Sequence, residues 1–124
     1  MDELFQNYSR AFDSLIASRI VALYTLPCST SDGDGSNVFT DKESLTNKFE
    51  ENFKSMKSMG YQSSDFNILS EISMGETAKA VNIGWRVSTE HGEIEFRSLY
   101  ICHREKDNWL IFSANVYEGK FNDT

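Results

Sequence analysis

The sequence predicts an α+β fold with N-terminal helices packed on a curved antiparallel sheet. Apolar residues recur at helical spacing in two segments of the first half, and strand-like runs rich in Val, Ile, Phe and Tyr follow from residue 65 onward. Helices followed by strands are typical of folds with the helices on one face of a sheet. Because the 124 residues show no repeat, linker or low-complexity segment, we expect one domain, residues 1–124.

Two helical segments open the chain. Residues 3–17 place their apolar side chains on one helical face: Leu4, Phe5, Tyr8, Ala11, Phe12, Leu15 and Ile16. The acidic Asp2 and Glu3 stand at the positive end of this helix. A short helical segment over 18–24 follows, and we expect Pro27 to close it.

A polar loop and a second long helix come next. The Gly and Asp content of residues 29–37 suits tight turns. Thr40 and Glu43 have the spacing of a capping box, and Gly60 is a natural terminator. The apolar face of the predicted helix is formed by Leu45, Phe49, Phe53 and Met56.

The second half predicts an antiparallel meander of four strands. The strand-like runs cover 65–75, 78–90, 93–105 and 108–119, and short turn signals separate them. In the third run, apolar residues fall on both faces: Phe96, Tyr100 and Cys102 alternate with Leu99 and Ile101. One face must cover the helices, so we expect the other to pack against a second copy of the chain in a homodimer.

Composition limits the classes of partner. The net charge is −7, and no cluster of Lys and Arg suits nucleic-acid phosphates, so we expect no nucleic-acid partner. No apolar run is long enough to span a membrane and no leader pattern opens the chain, which predicts a cytoplasmic protein without membrane contact. Cys28 and Cys102 are expected to be reduced, buried thiols.

The order and lengths of the elements resemble the nuclear transport factor 2-like superfamily over nearly the whole chain. The features that carry the resemblance are the stretch "IVALY", the glycine turn before the second long helix, and Trp109 opening the last strand. The resemblance implies a cystatin-like cone with a small-ligand pocket between helices and sheet. It leaves the function open, because folds of this kind host many activities.

Within that superfamily, residues 6–24 are most similar to the ketosteroid isomerases. The resemblance places Tyr8 at the oxyanion-donor tyrosine, Asp32 at the general base, and Tyr100 in place of the second oxyanion group. It implies cofactor-free proton transfer on a compact apolar ketone, as in an isomerase or a polyketide cyclase. The alternatives are structural: Tyr8 packs in the core, Asp32 forms a turn, and the domain is a non-catalytic ligand-binding or dimerisation module.

The sequence offers further candidate pocket residues, a Cys–His pair and a spacing like that of a calcium-binding loop. The candidate pocket residues are Phe12, Tyr24, Phe53, Trp85, Arg97 and Asn115. Cys102 and His103 invite comparison with a nucleophile and its base, but neighbours on a strand point to opposite faces. A calcium-loop spacing at Asp32, Asp34, Ser36 and Glu43 lacks the required glycine, so no metal site is expected.

Overall fold

A computed structural model describes residues 1–123. The helices cover one face of a curved six-stranded sheet, which confirms the predicted α+β class. None of the helices in this part of the chain is long and apolar enough to cross a membrane. In chain order the elements are α1 (Asp2–Ser14), α2 (Ala17–Val21), β1 (Tyr24–Asp32), β2 (Gly35–Phe39), α3 (Lys42–Ser58), β3 (Tyr61–Ser73), β4 (Ala78–Thr89), β5 (Gly92–Glu105) and β6 (Asn108–Tyr117).

The sheet has the strand order β2-β1-β6-β5-β4-β3. The meander β3 to β6 is antiparallel, as predicted. Strand β1, which lies outside the predicted meander, pairs with β6 in the parallel direction. These two strands are far apart in sequence, so no tight turn forces them into an antiparallel arrangement.

The predicted loop over 29–37 is instead part of a β-hairpin formed by β1 and β2. Cys28 and Thr30 are buried, whereas the residues between and after them are partly exposed, which is the alternation of a strand with one face on the core. Pro27 lies inside β1 and does not close the short helix, which already ends at Val21. The Gly and Asp residues that suggested a loop belong to the turn of this hairpin.

Helix α3 begins at a different cap from the one predicted. Asp41, not Thr40, is the N-cap, and its Oδ1 accepts a hydrogen bond from the Ser44 backbone N–H across 2.7 Å. This bond lowers the pKa of Asp41, because it stabilises the charged carboxylate. At the other end Gly60 adopts a φ of +74°, a conformation that glycine accepts without strain, and the helix stops there as predicted.

The core lies between the helices and the inner face of the sheet, and aromatic side chains dominate it. Phe5 and Tyr8 of α1 meet Tyr100 of β5, with ring centroids 4.9 Å apart for Phe5–Tyr100 and 5.5 Å for Tyr8–Tyr100. Tilted and edge-on contacts of this kind add to the free energy of burying the rings. Cys28 and Cys102 are both buried, as predicted, and neither forms a disulfide bond in the structure.

The residues after β6 cross the face of the sheet that points away from the helices, which we call the outer face. We call residues 118–123 the C-terminal strap. The Phe121 N–H donates to Glu95 Oε1 at 2.8 Å, and its carbonyl accepts from Asn67 Nδ2 at 3.0 Å. The strap runs directly over Gly84, where a Cβ atom would collide with the Phe121 carbonyl. It therefore covers the part of the outer face formed by the middle of β3, β4 and β5.

Candidate functional site

A half-open cavity of about 360 Å³ lies between the helices and the inner face of the sheet. The helices contribute Tyr8, Phe12, Asn52, Ser55, Met56 and Met59. The strands contribute Ser64, Trp85, Val87, Ile94, Phe96, Tyr100 and Val116. A small concave site with mostly apolar walls and few polar groups is the usual form of a small-molecule site.

Strand register brings the sheet residues of the cavity together. Trp85 pairs with Phe96 and Val87 with Ile94 across β4 and β5, so all four side chains stand on the inner face. The walls are therefore set by alternate residues of rigid strands.

Hydrogen-bonding groups cluster at the inner end of the cavity. The hydroxyl groups of Tyr8 and Tyr24 lie 2.8 Å apart, and either of them can be the donor. The Trp85 Nε1–H donates to the Tyr100 hydroxyl oxygen at 3.0 Å. Burial raises the pKa of Tyr8 and Tyr24 well above the ordinary value and that of Tyr100 to about 12. All three phenols are therefore neutral hydrogen-bonding groups at physiological pH.

A second polar cluster fixes the wall at Ser64, where α1 meets β3. Asp13 Oδ1 accepts from the Tyr61 hydroxyl at 2.7 Å and from the Ser64 N–H at 3.1 Å. The Ser9 and Ser64 hydroxyls lie 3.0 Å apart. These bonds hold one helix against one edge of the cavity, and neither Asp13 nor Ser64 carries a motif that could have revealed the cluster in the sequence.

The family model described as "NTF2-like protein (DUF6841)" matches residues 1–119. The chain belongs to this NTF2-like family. No curated protein matches the sequence.

Solved structures share the fold of this NTF2-like domain at low sequence identity. An NTF-2-like protein of unknown function from Shewanella oneidensis has a TM-score of 0.75 at 14% identity, with 93% of each chain covered. A ketosteroid isomerase-like protein from Erwinia carotovora atroseptica has a TM-score of 0.73 at 12% identity, covering 93% of this chain and 90% of that one. A domain of unknown function with a cystatin-like fold from Nostoc punctiforme has a TM-score of 0.76 at 9% identity, covering 98% and 75%. These similarities establish the fold alone.

Four of the candidate residues lie on the cavity of the NTF2-like domain: Tyr8, Phe12, Trp85 and Tyr100. Tyr24 stands behind the wall, with its hydroxyl beside that of Tyr8. Phe53 is buried and supports Phe12, their ring centroids 5.3 Å apart.

Asp32, the candidate base, lies outside the cavity. It is exposed at the end of β1, where its Oδ1 accepts from the Asp34 N–H at 2.8 Å within the hairpin turn. Tyr24, which contacts Tyr8, stands at the opposite end of the same strand. The structure therefore brings Tyr8 and Tyr100 together but does not bring Asp32 to them.

Arg97 and Asn115 are placed on the outer face, so the prediction that they line the pocket is corrected. Ser98 and Tyr100 point inward, and the alternation of a strand turns Arg97 outward. There its Nε donates to the carbonyl of Lys120 in the strap at 2.8 Å. Asn115 accepts a hydrogen bond from the Ser31 hydroxyl at 2.7 Å across β1 and β6.

Cys102 and His103 point to opposite faces, as predicted. Burial raises the pKa of the Cys102 thiol to about 12, and the His103 ring packs edge-on against Phe112 with centroids 5.4 Å apart. Within residues 1–123, no three His, Cys, Asp or Glu side chains are grouped in a way that could hold a metal ion.

Proposed function

We propose that this NTF2-like domain binds a compact, largely apolar small molecule in the cavity between its helices and sheet. The proposal rests on the separation of apolar and polar groups within the cavity. Its walls are mainly apolar, and the phenol and indole groups of Tyr8, Trp85 and Tyr100 meet at its inner end. Such a site gains affinity from apolar burial and orientation from a few hydrogen bonds.

The hydrogen-bond inventory indicates the polar group of the ligand. The Trp85 N–H occupies the Tyr100 oxygen, so the hydroxyl hydrogen of Tyr100 is not used in that bond. One hydrogen joins Tyr8 and Tyr24, which leaves the second one to donate elsewhere. The hydroxyls of Tyr8 and Tyr100 also interact with each other, so one of the three phenol hydrogens is left for a ligand. A ligand oxygen such as a carbonyl is the matching acceptor.

The lining supports binding in preference to isomerase-like or cyclase-like proton transfer. Proton abstraction needs a base within hydrogen-bond reach of the substrate. Among residues 1–123, no acidic side chain and no histidine lines the cavity, and Asp32 is engaged in the exposed hairpin turn. A phenol donor can hold a carbonyl oxygen, but this lining supplies no carboxylate or imidazole to accept the substrate's proton.

Titration of the protein with cyclohexanone, followed by NMR shift changes of Trp85 Nε1–H, tests the proposal. We expect Tyr8→Phe to weaken binding about three- to tenfold, the value of one neutral hydrogen bond. Asp32→Asn is the matched control and leaves the affinity unchanged. Shifts confined to residues outside the cavity, or none at all, would count against the proposal.

We also infer that a second copy of the chain covers the outer face beside the C-terminal strap. The second copy would contact the exposed apolar residues Leu99, Phe112 and Tyr117. Most of their neighbours on this face are uncharged: Ser29, Ser31, Asn82, Ser113 and Asn115. The charged neighbour Arg97, which pairs with Tyr117, is hydrogen-bonded to the C-terminal strap. On a chain with a net charge of −7, an uncharged surface is where two copies can approach with least repulsion. Sedimentation that finds only monomer at micromolar concentration contradicts this arrangement.

A further inference from the structure

We infer that the ligand of this cavity is an uncharged single-chain amphiphile, such as a long-chain ketone, ester or alcohol. Its oxygen lies at the tyrosines and its alkyl chain leaves through the cavity mouth. This inference rests on the proposed binding function and names the class of molecule that the site takes.

The mouth of the cavity is exposed and mostly apolar, with Ser55 as its exposed polar residue. Met59 at the end of α3 is 41% exposed, Ile94 of β5 44%, and Val116 of β6 41%. All three also line the cavity, so the exposed rim continues into the apolar interior past Met56 and Phe96. An alkyl chain that passes through this opening buries the exposed apolar side chains of the rim, which is favourable. A ligand confined to the interior leaves those side chains in water.

The methionines suit a chain of variable length. Met56 on α3 is half-buried, and Met59, the residue that caps the end of this helix, is exposed three positions later. An unbranched thioether side chain adapts to irregular apolar partners. The helix side of the mouth can therefore follow a flexible chain, while the β-branched side chains of Ile94 and Val116 on the strand side have fewer rotamers.

The charge of the lining excludes an ionised head group. No Lys, Arg or His of the described chain lines the cavity, so a carboxylate buried there has no counter-charge. The absence of Asp and Glu from the same lining equally disfavours an ammonium head. The polar groups that remain are neutral, namely the phenols and the side chains of Asn52, Ser55 and Ser64, and they match a ketone, ester or alcohol.

A homologous series tests the inference. Affinities of the linear alkan-2-ones from butanone to decan-2-one are measured by calorimetry, beside the fatty acid of equal length for each. We expect affinity to rise about two- to fourfold per methylene, since each buried CH₂ contributes about 0.8 kcal/mol. We expect the ionised fatty acids to bind at least tenfold more weakly than the ketones.

A pair of variants tests whether the mouth contributes to the affinity for long ligands but not for short ones. Ile94→Ser is expected to reduce the affinity of decan-2-one severalfold and to leave that of butanone unchanged. Val38→Ser, on the exposed strand β2 outside the cavity, is the control and alters neither. Circular dichroism and unfolding midpoints confirm that both variants are folded.

The outcomes distinguish the inference from the function on which it rests. If short ketones bind but affinity does not grow with chain length, or fatty acids bind as tightly, the amphiphile inference is wrong and small-ligand binding stands. If the whole series fails to bind, both are wrong.

Discussion

The indole N–H of Trp85 donates a hydrogen bond to the hydroxyl oxygen of Tyr100 across 3.0 Å, and both side chains are buried in the core. A buried donor whose partner is removed loses this bond without gaining one to water. The pair therefore contributes to the stability of the domain as well as to the proposed site.

We expect Tyr100→Phe to lower the free energy of unfolding by about 1–3 kcal/mol, because it leaves the Trp85 N–H without its acceptor. Urea denaturation measures the change. Ser58→Ala is the control: its hydroxyl donates to the Ser55 carbonyl at 2.7 Å, but on the exposed surface of α3 where water can replace it. A loss as large for Ser58→Ala as for Tyr100→Phe would contradict the role assigned to burial.

Stability should fall in alkali as the buried phenols are forced to ionise. Burial raises the pKa of Tyr100 from 10.0 to about 12, so the folded state favours the protonated phenol more than the unfolded state does. The contribution is complete below pH 10 and is lost as the pH rises to about 12, amounting to at most about 3 kcal/mol. Urea denaturation over this range should show a shallower decline for Tyr100→Phe. Formation of tyrosinate from Tyr100 near pH 10 in the folded protein would show the shift to be absent.

Gly84→Ala should release the C-terminal strap. A methyl group at this position collides with the Phe121 carbonyl, which is backbone and cannot rotate away. We expect faster tryptic cleavage at Lys120 in native protein, since protease attack reports local opening. Gly33→Ala is the control, because nothing lies within 4 Å of a Cβ there. Equal cleavage rates in the two variants would mean that the strap does not depend on Gly84.

Leu99→Lys should convert the proposed dimer into a monomer. The change places a positive charge on each copy at the uncharged part of the outer face, where a two-fold contact brings like residues together. Equilibrium sedimentation measures the mass of the variant beside that of Val38→Lys, which alters a side chain 73% exposed on β2. A Leu99→Lys variant that stays dimeric puts the interface elsewhere.

The second half of the fold was predictable from sequence because strands β3 to β6 are joined by short turns. Turn residues bound each strand, and the alternation within it places Trp85 and Tyr100 inward. Tyr8 could be assigned to the core for the same reason, since helical spacing puts it on the apolar face of α1.

Strand β1 and the position of Asp32 could not be predicted, because both depend on a distant partner. The strand contains many Ser and Thr residues and becomes a strand by pairing with β6, whose sequence lies far away. Its register shifts between Tyr24 and Ser29, so extra residues are accommodated there. Asp32 lies beyond this shift, at the far end of β1 in the hairpin turn, and spacing along the chain does not reveal this.

The pocket assignments of Arg97 and Asn115 failed for a related reason. Residue type does not reveal which face of a strand points inward, and both residues stand between inward-facing neighbours. The partners of Arg97, which include the Lys120 carbonyl, belong to the strap that follows the last strand.

The place of β6 in the sheet has a consequence for how the domain is made. It is the latest of the described strands in chain order, yet it lies between β1 and β5 and is hydrogen-bonded to both. Until β6 is synthesised, the β1–β2 hairpin and the β3–β5 meander share no strand pairing, and each has an unpaired edge. The domain becomes a single cooperative unit when residues 108–117 emerge and join the two.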